Sequence, residues 1–165
     1  MAEEGSNRKK ILVAIDESEC SRYALQWTLD YLRGSIPVSS LFILTVQSLE
    51  DLGYLYAASL GSAPPDLVRS VREHQNKAAL TLLDRAKEIC LRREVTPMTV
   101  TEFGEPKEVV CEAIEKHKID LLVLGSHGKV SVLLILRVCL TFLGSVSNYC
   151  VHNAKCAVLV VRKPI

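Results

Sequence analysis

Residues 120–128 read DLLVLGSHG, a short aliphatic run followed by a turn that starts and ends with glycine. A continuous apolar run of this length is typical of a strand buried on both faces of a parallel sheet. Gly125 and Gly128 would let the backbone approach a ligand closely, and a helix starting after them would offer free N–H groups to phosphate. The plain alternative is a tight turn between a strand and a helix.

Strand and helix patterns alternate outward from this segment over nearly the whole chain. The predicted strands are Lys9–Ile15, Ser40–Val46, Val95–Glu102, Asp120–Leu124 and Ala157–Val161. Helices are predicted over Ser21–Arg33, over Asp66–Arg93, from Pro106 to His117 and within Val130–His152. This order predicts an α/β fold, a doubly wound five-stranded parallel sheet with helices on both faces. We expect one domain over residues 9–163 after a disordered tail at 1–8.

The sequence also predicts the position of one strand in the sheet and the buried face of one helix. Pro97 lacks a backbone donor, so the third strand is expected at an edge of the sheet. The long second helix is expected to bury one stripe of its surface. Its members are Leu67, Val71, Ala78, Leu82, Ala86 and Ile89.

The bulk composition excludes several classes of protein. Hydrophobic residues make up 48% and charged residues 24%, as in globular domains, and the net charge of +1 provides no field for nucleic acid or anionic membrane. The apolar stretch Val130–Leu143 is shorter than the roughly 20 residues of a membrane-spanning helix, and Met1–Lys10 is too polar for a secretory signal. We expect a cytoplasmic protein, with the nucleus as the alternative.

The six cysteines form no C-x-x-C pair, and most lie in apolar runs. We therefore expect reduced thiols that act as small hydrophobic side chains. No cluster of His, Cys and Asp has the spacing of metal ligands, so no metal site is predicted.

Two further strand ends carry candidate binding groups. Asp16 follows the first strand, and its carboxylate could accept hydrogen bonds from two hydroxyls, as a ribose requires. The simpler interpretation of Asp16 is an N-cap of the following helix. Val46 closes the second strand, where backbone groups without strand partners could bind the edge of a base.

A second glycine turn follows at Gly144-Ser145-Val146-Ser147. A Gly-Ser pair that opens a helix supplies free amides and a hydroxyl to an anion, although a plain N-cap explains it equally. His127 is the candidate for acid–base chemistry, but no nucleophile and acid accompany it at the strand ends. We therefore predict no dedicated catalysis.

Five segments together resemble universal stress proteins, in particular the plant single-domain kind. They are ILVAIDES, ALQWTLDYL, GEPKEVVCEAIE, DLLVLGSHG and LGSVSNYCVHNAKCAVLVV, and the resemblance covers about residues 8–163. It implies an adenine-nucleotide α-hydrolase-like fold with strand order 3-2-1-4-5. It also implies a homodimer that pairs Ala157–Val161 of two chains.

The ATP-binding branch of that family carries the signature G-x2-G-x9-G-[ST]. The resemblance implies that Asp16 binds ribose and that Val46 binds adenine. Ribose and phosphate contacts would come from Leu124, Gly125, His127, Gly128, Gly144, Ser145 and Val146. The ligand would be AMP or ATP, the latter with or without Mg²⁺, and no other cofactor would be required.

The spacing departs from the signature between its two halves. Fifteen residues, Lys129–Leu143, lie between Gly128 and Gly144 where the signature has nine, and they are mostly apolar. Six additional helical residues would displace Gly144 by about 9 Å. Three hypotheses follow. The first is a stress-response module that acts by binding AMP or ATP, and the second is a nucleotide-free dimeric interaction protein with a disrupted phosphate loop. The third is an enzyme with at most slow ATP hydrolysis, suggested by His127 beside a phosphate site.

Overall fold

The computed structural model describes residues 9–32, 34, 40–48, 53, 56–127 and 143–164. The strands are β1 (Ile11–Ala14), β2 (Leu41–Ser48), β3 (Met98–Gly104), β4 (Leu121–Gly125) and β5 (Ala157–Val161). The helices are α1 (Glu19–Leu32), α2 (Pro65–Leu91), α3 (Pro106–His117) and α4 (Ser145–Asn153). The predicted tail at 1–8 and residues 128–142 lie outside the described part.

The five strands form one parallel sheet in the order β3-β2-β1-β4-β5. Val13 of the central strand lies beside Ile43 of β2 and Val123 of β4. This confirms the doubly wound sheet and its strand order. The edge position of β3 is also confirmed, and Pro97 lies directly before its first residue rather than within it.

Helices cover both faces of the sheet because alternate strand residues point to opposite sides. One core layer packs α1 and α2 against the sheet, and its fully buried members include Val13, Leu29 and Ile43. The other layer packs α3 and α4 against Leu12 and Leu122, which are likewise fully buried. The central strands β1, β2 and β4 are thus apolar on both faces, as their continuous apolar runs predict.

The predicted buried stripe of α2 is confirmed in part: Ala86 is buried, and Leu82 and Ile89 are half-buried and pack against the core. The buried residues are Ala79, Leu83, Ala86 and Cys90, and Leu67 is 44% exposed. The predicted and observed stripes are neighbouring rows of the same helix, and both are apolar. Helical periodicity therefore could not select between them, and packing against the sheet decides.

The cysteines of the described part agree with the prediction of reduced thiols. Cys20, Cys90, Cys111, Cys150 and Cys156 are free, whereas Cys139 lies outside the described residues. Burial raises the pKa of the Cys90 thiol to about 11 and that of Cys150 to about 12. In the described ranges we find no helix with the length and apolar character needed to span a membrane.

Candidate functional site

The carboxyl ends of β2, β1 and β4 meet at one edge of the sheet, because these strands are parallel neighbours. The chain runs from β1 to β2 on one side, and β4 pairs with β1 on the other. Ligand sites of open α/β sheets lie at such a reversal of strand order, outside the carboxyl ends of the strands. The fold therefore brings Asp16, Val46, Gly125 and His127 to the rim of one crevice.

Asp16 is held by the first residues of α1. The backbone N–H of Ser18 donates to Oδ1 of Asp16 at 3.0 Å, and the Ser18 hydroxyl donates to the same oxygen. The N–H of Ser21 donates to the Ser18 hydroxyl at 3.2 Å, so Ser18 is the N-cap of α1. The capping role considered for Asp16 thus belongs to Ser18.

Val46 lies two residues before the end of β2 and is half-buried. On one side, β2 pairs with β3 as far as Ser48. On the other, the carbonyl of Leu44 accepts from the N–H of Ile15 at 2.8 Å, and β1 ends at Ala14. Alternate residues of a strand direct their backbone groups to the same side, so Val46 directs its N–H and C=O toward the side where β1 has ended.

Gly125 allows a close approach, but to the protein's own backbone. A Cβ atom at this position would lie 2.8 Å from the carbonyl carbon of Cys20 and 2.9 Å from the nitrogen of Ser21. The first turn of α1 therefore packs against the end of β4 without room for a side chain. Glycine at 125 positions the loop of Asp16 beside the loop that follows β4.

The loop after β4 joins three elements. The Ser126 N–H donates to the carbonyl of Val161 at the end of β5, at 3.0 Å. The Ser18 hydroxyl lies 3.5 Å from the carbonyl oxygen of His127, a long contact between the β1 and β4 loops. Nδ1 of His127 lies 3.2 Å from the Ser126 hydroxyl. Gly128, the second glycine of the turn, lies outside the described residues.

The second glycine turn adjoins this loop. The Gly144 N–H donates to the Ser126 carbonyl at 2.7 Å, and α4 begins at the next residue. Gly144 is therefore bonded to the loop after β4, although fifteen residues separate it from Gly128. Ser145 and Val146 form the first turn of α4, where backbone N–H groups have no acceptor within the helix.

Serines 126 and 147 were missed by the sequence reasoning as residues of this site. Both are buried, and the Ser147 hydroxyl donates to the Ser126 carbonyl at 3.1 Å. A small polar residue two places after a Gly-Ser helix start was the available signal. It was not used because Ser147 alone fits an ordinary helix equally well.

An ion pair lies near the strand ends. Lys163, which follows β5, forms an ion pair with Glu19 in the first turn of α1. The Lys163 ammonium, with a smaller contribution from Arg22, lowers the pKa of the Glu19 carboxyl. This pair links the end of β5 to the start of α1 across the crevice edge.

Other binding features in the described ranges are few. No group of three or more His, Cys, Asp and Glu side chains there could hold a metal ion. A cavity of about 440 Å³ lies against the first turns of α2, lined by residues that include Tyr56, Val68, Arg69 and Arg72. None of its lining residues belongs to the strand-end crevice.

The chain is a doubly wound α/β domain whose α4 begins beside the carboxyl ends of the central strands, the place where open α/β sheets carry their ligand sites. The model of the universal stress protein family matches residues 7–162, and the chain belongs to that family. A universal stress protein A-like protein from Arabidopsis thaliana is 28% identical over 96% of this chain and 93% of its own.

Two solved structures show the same fold. Universal stress protein UspA from Lactobacillus plantarum has a TM-score of 0.71 at 24% identity, over 94% of this chain and 98% of its own. A universal stress protein family protein from Arabidopsis thaliana, solved with AMP bound, has a TM-score of 0.62 at 23% identity. That likeness covers 94% of this chain and 92% of the other.

Proposed function

We propose that this chain binds an adenine nucleotide, AMP or ATP, in the crevice at the carboxyl ends of β1, β2 and β4. The contact between Gly144 and Ser126 carries the proposal, since it holds the two glycine turns together in spite of the longer connection. The AMP-bound relative supports an adenine nucleotide as the ligand class. The comparisons give no support to the nucleotide-free alternative.

The residues at the crevice fit the parts of such a ligand. Ser18 fixes the Asp16 carboxylate, which would accept the two ribose hydroxyls. Val46 would bind the edge of the adenine through its backbone N–H and C=O. Asp16 follows β1 and Val46 lies in the neighbouring strand β2, as the ribose and base of one nucleotide require.

The phosphates would lie between the loop of β4 and the start of α4. Leu124, Gly125, His127 and Gly128 would line one side of the phosphates, and Gly144, Ser145 and Val146 the other. The first-turn N–H groups of Ser145 and Val146 would donate to phosphate oxygens, assisted by the helix dipole. Gly144 would contribute close approach rather than a donor, because its N–H is bonded to Ser126.

We further propose that binding, not turnover, is the output of this stress-response module. ATP would bind with or without Mg²⁺, and no resident cofactor is required. The proposed location is the cytoplasm, with the nucleus as the alternative.

Titration calorimetry with AMP tests the proposal. We expect saturable binding by the natural chain and a loss of about tenfold or more in affinity for Asp16→Asn, because hydrogen bonds to a charged group contribute about 1.5–3 kcal/mol. Asp66→Asn is the matched control, since Asp66 is exposed and pairs only with Arg69 among the ion pairs of the described residues. Absence of binding up to millimolar AMP, or equal affinity for the Asp16 variant, would contradict the proposal.

A further inference from the structure

The Ser126 carbonyl, the Gly144 N–H and the Ser147 hydroxyl form a three-residue contact, the serine clamp. We propose that the serine clamp positions the first turn of α4 for the phosphate of the nucleotide. Ser147 is thus a positioning residue that acts through the backbone of Gly144, and no contact between Ser147 and ligand is required. This inference rests on the nucleotide-binding function proposed above.

The clamp is short and buried. The Ser126 carbonyl oxygen accepts the Gly144 N–H at 2.7 Å and the Ser147 hydroxyl at 3.1 Å. The same hydroxyl lies 3.0 Å from the Gly144 carbonyl oxygen. Ser126 and Ser147 are 5% and 3% exposed, so water does not readily replace these bonds. The Ser126 N–H is itself bonded to Val161, which fixes the acceptor to β5.

The spacing of this chain makes such a clamp necessary. Fifteen residues connect Gly128 to Gly144, six more than the family signature, and a longer connection restrains its ends less strongly. The N–H groups proposed to bind phosphate, those of Ser145 and Val146, follow Gly144 directly. Their positions relative to the loop of β4 are therefore set by the bonds of Gly144 and Ser147 to Ser126.

Core packing is the competing explanation for the position of α4. Cys150 is fully buried in the layer between α3 and the sheet, which orients the middle of the helix. Val146 extends this packing into the first turn, where it is half-buried against the same layer, whereas Ser145 is exposed and Gly144 is held by its bond to Ser126. If the clamp positions α4 for phosphate, removing the Ser147 hydroxyl lowers the affinity for phosphate-bearing ligands only. If the hydroxyl only stabilises the fold, its removal lowers the affinity for ligands with and without phosphate alike.

Affinities for AMP and adenosine separate these explanations. We expect Ser147→Ala to weaken AMP binding about three- to tenfold, as for the loss of one hydrogen bond, while adenosine affinity stays within about twofold. Ligand-observed NMR registers the weak binding of adenosine. Thr28→Val is the matched control, because the buried Thr28 hydroxyl donates to Ala24 within α1 at 2.8 Å, away from the crevice. The control should change neither affinity.

Equal losses for AMP and adenosine, or no loss for either, would overturn the clamp. Hydrogen exchange of the Gly144 amide provides a second measurement that does not depend on the variant folding. In the natural chain without nucleotide we expect this amide to be protected by its bond to Ser126, and exchange at the rate of an open loop would overturn the inference. If the natural chain binds no AMP but protects Gly144, the proposed function fails while the clamp geometry stands.

Discussion

At the residue scale, Gly125 shows how one position serves both the fold and the site. Its missing Cβ lets the first turn of α1 meet the end of β4, and this contact places the loop of Asp16 against the loop of His127. The glycine was predicted to admit a ligand. The structure shows that it also admits the backbone of Cys20, which brings the two loops together.

We expect Gly125→Ala to lower the free energy of unfolding by about 2 kcal/mol, because a Cβ atom 2.8 Å from backbone forces α1 to shift. Urea unfolding measures the effect. Gly34→Ala is the control, since no atom lies within 4 Å of a Cβ built there. Equal stability of the two variants would show that α1 does not pack as closely as described.

Individual site residues could be predicted from the sequence only where a strand end marked them. Asp16 and Gly125 follow obvious apolar runs, so their position at the crevice could be inferred. Ser18 and Ser147 could not, because their roles are hydrogen bonds to Asp16 and Ser126, and such contacts depend on the path of the chain in space.

At the scale of elements, α2 and α4 each bury a cysteine in the core. Cys90 and Cys150 are 0% exposed, and burial holds both thiols in the neutral form. At pH 8 we expect iodoacetamide to leave both unmodified in the native protein and to modify both in denaturant. Mass spectrometry of the digested protein measures this. Native labelling as fast as unfolded labelling would contradict the described packing.

The raised thiol pKa also has a consequence for stability. The Cys90 thiol ionises near 9.0 in the unfolded chain and near 11 in the folded one, so the unfolded state loses its proton first. The contribution of the neutral buried thiol is therefore complete below about pH 9 and is lost as the pH rises toward 11. Urea unfolding should give a lower free energy of unfolding at pH 10.5 than at pH 8. A Cys90→Ser variant that loses as much stability between these two pH values as the natural chain would contradict this cause.

The elements themselves were largely predictable, whereas the most deeply buried row of α2 was not. Short aliphatic runs located all five strands within one to three residues, because parallel strands buried on both faces contain few polar residues. The boundary of β2 was extended to Ser48 by its pairing with β3, a tertiary contact. The most deeply buried row of α2 was predicted only in part, because two adjacent rows of that helix are apolar.

At the scale of the whole molecule, β5 leaves an edge of the sheet open to a second chain. Its residues Ala157–Val160 are exposed or half-exposed, and we propose that this edge pairs with its copy in a homodimer. We expect Val160→Glu to shift the protein toward monomer in sedimentation experiments, because like charges would face each other across the pair. Thr99→Glu is the control on the opposite edge strand β3. A natural chain that is monomeric at all concentrations would exclude this dimer.

The overall topology followed from the alternation of elements together with the resemblance to universal stress proteins, and the described sheet confirms it. The junction between Gly144 and Ser126 did not follow, because the sequence shows only the length of the connection between the two glycine turns. Its length suggested displacement, whereas buried hydrogen bonds hold the turns together.

The most direct test of the central claim is a map of backbone amide NMR shifts on addition of AMP. The account predicts saturable shifts at Asp16, Val46, Ser126–His127 and Ser145–Val146, the residues around the strand-end crevice. Shifts confined to the cavity of Arg69 and Arg72, or no shifts at millimolar AMP, would contradict it.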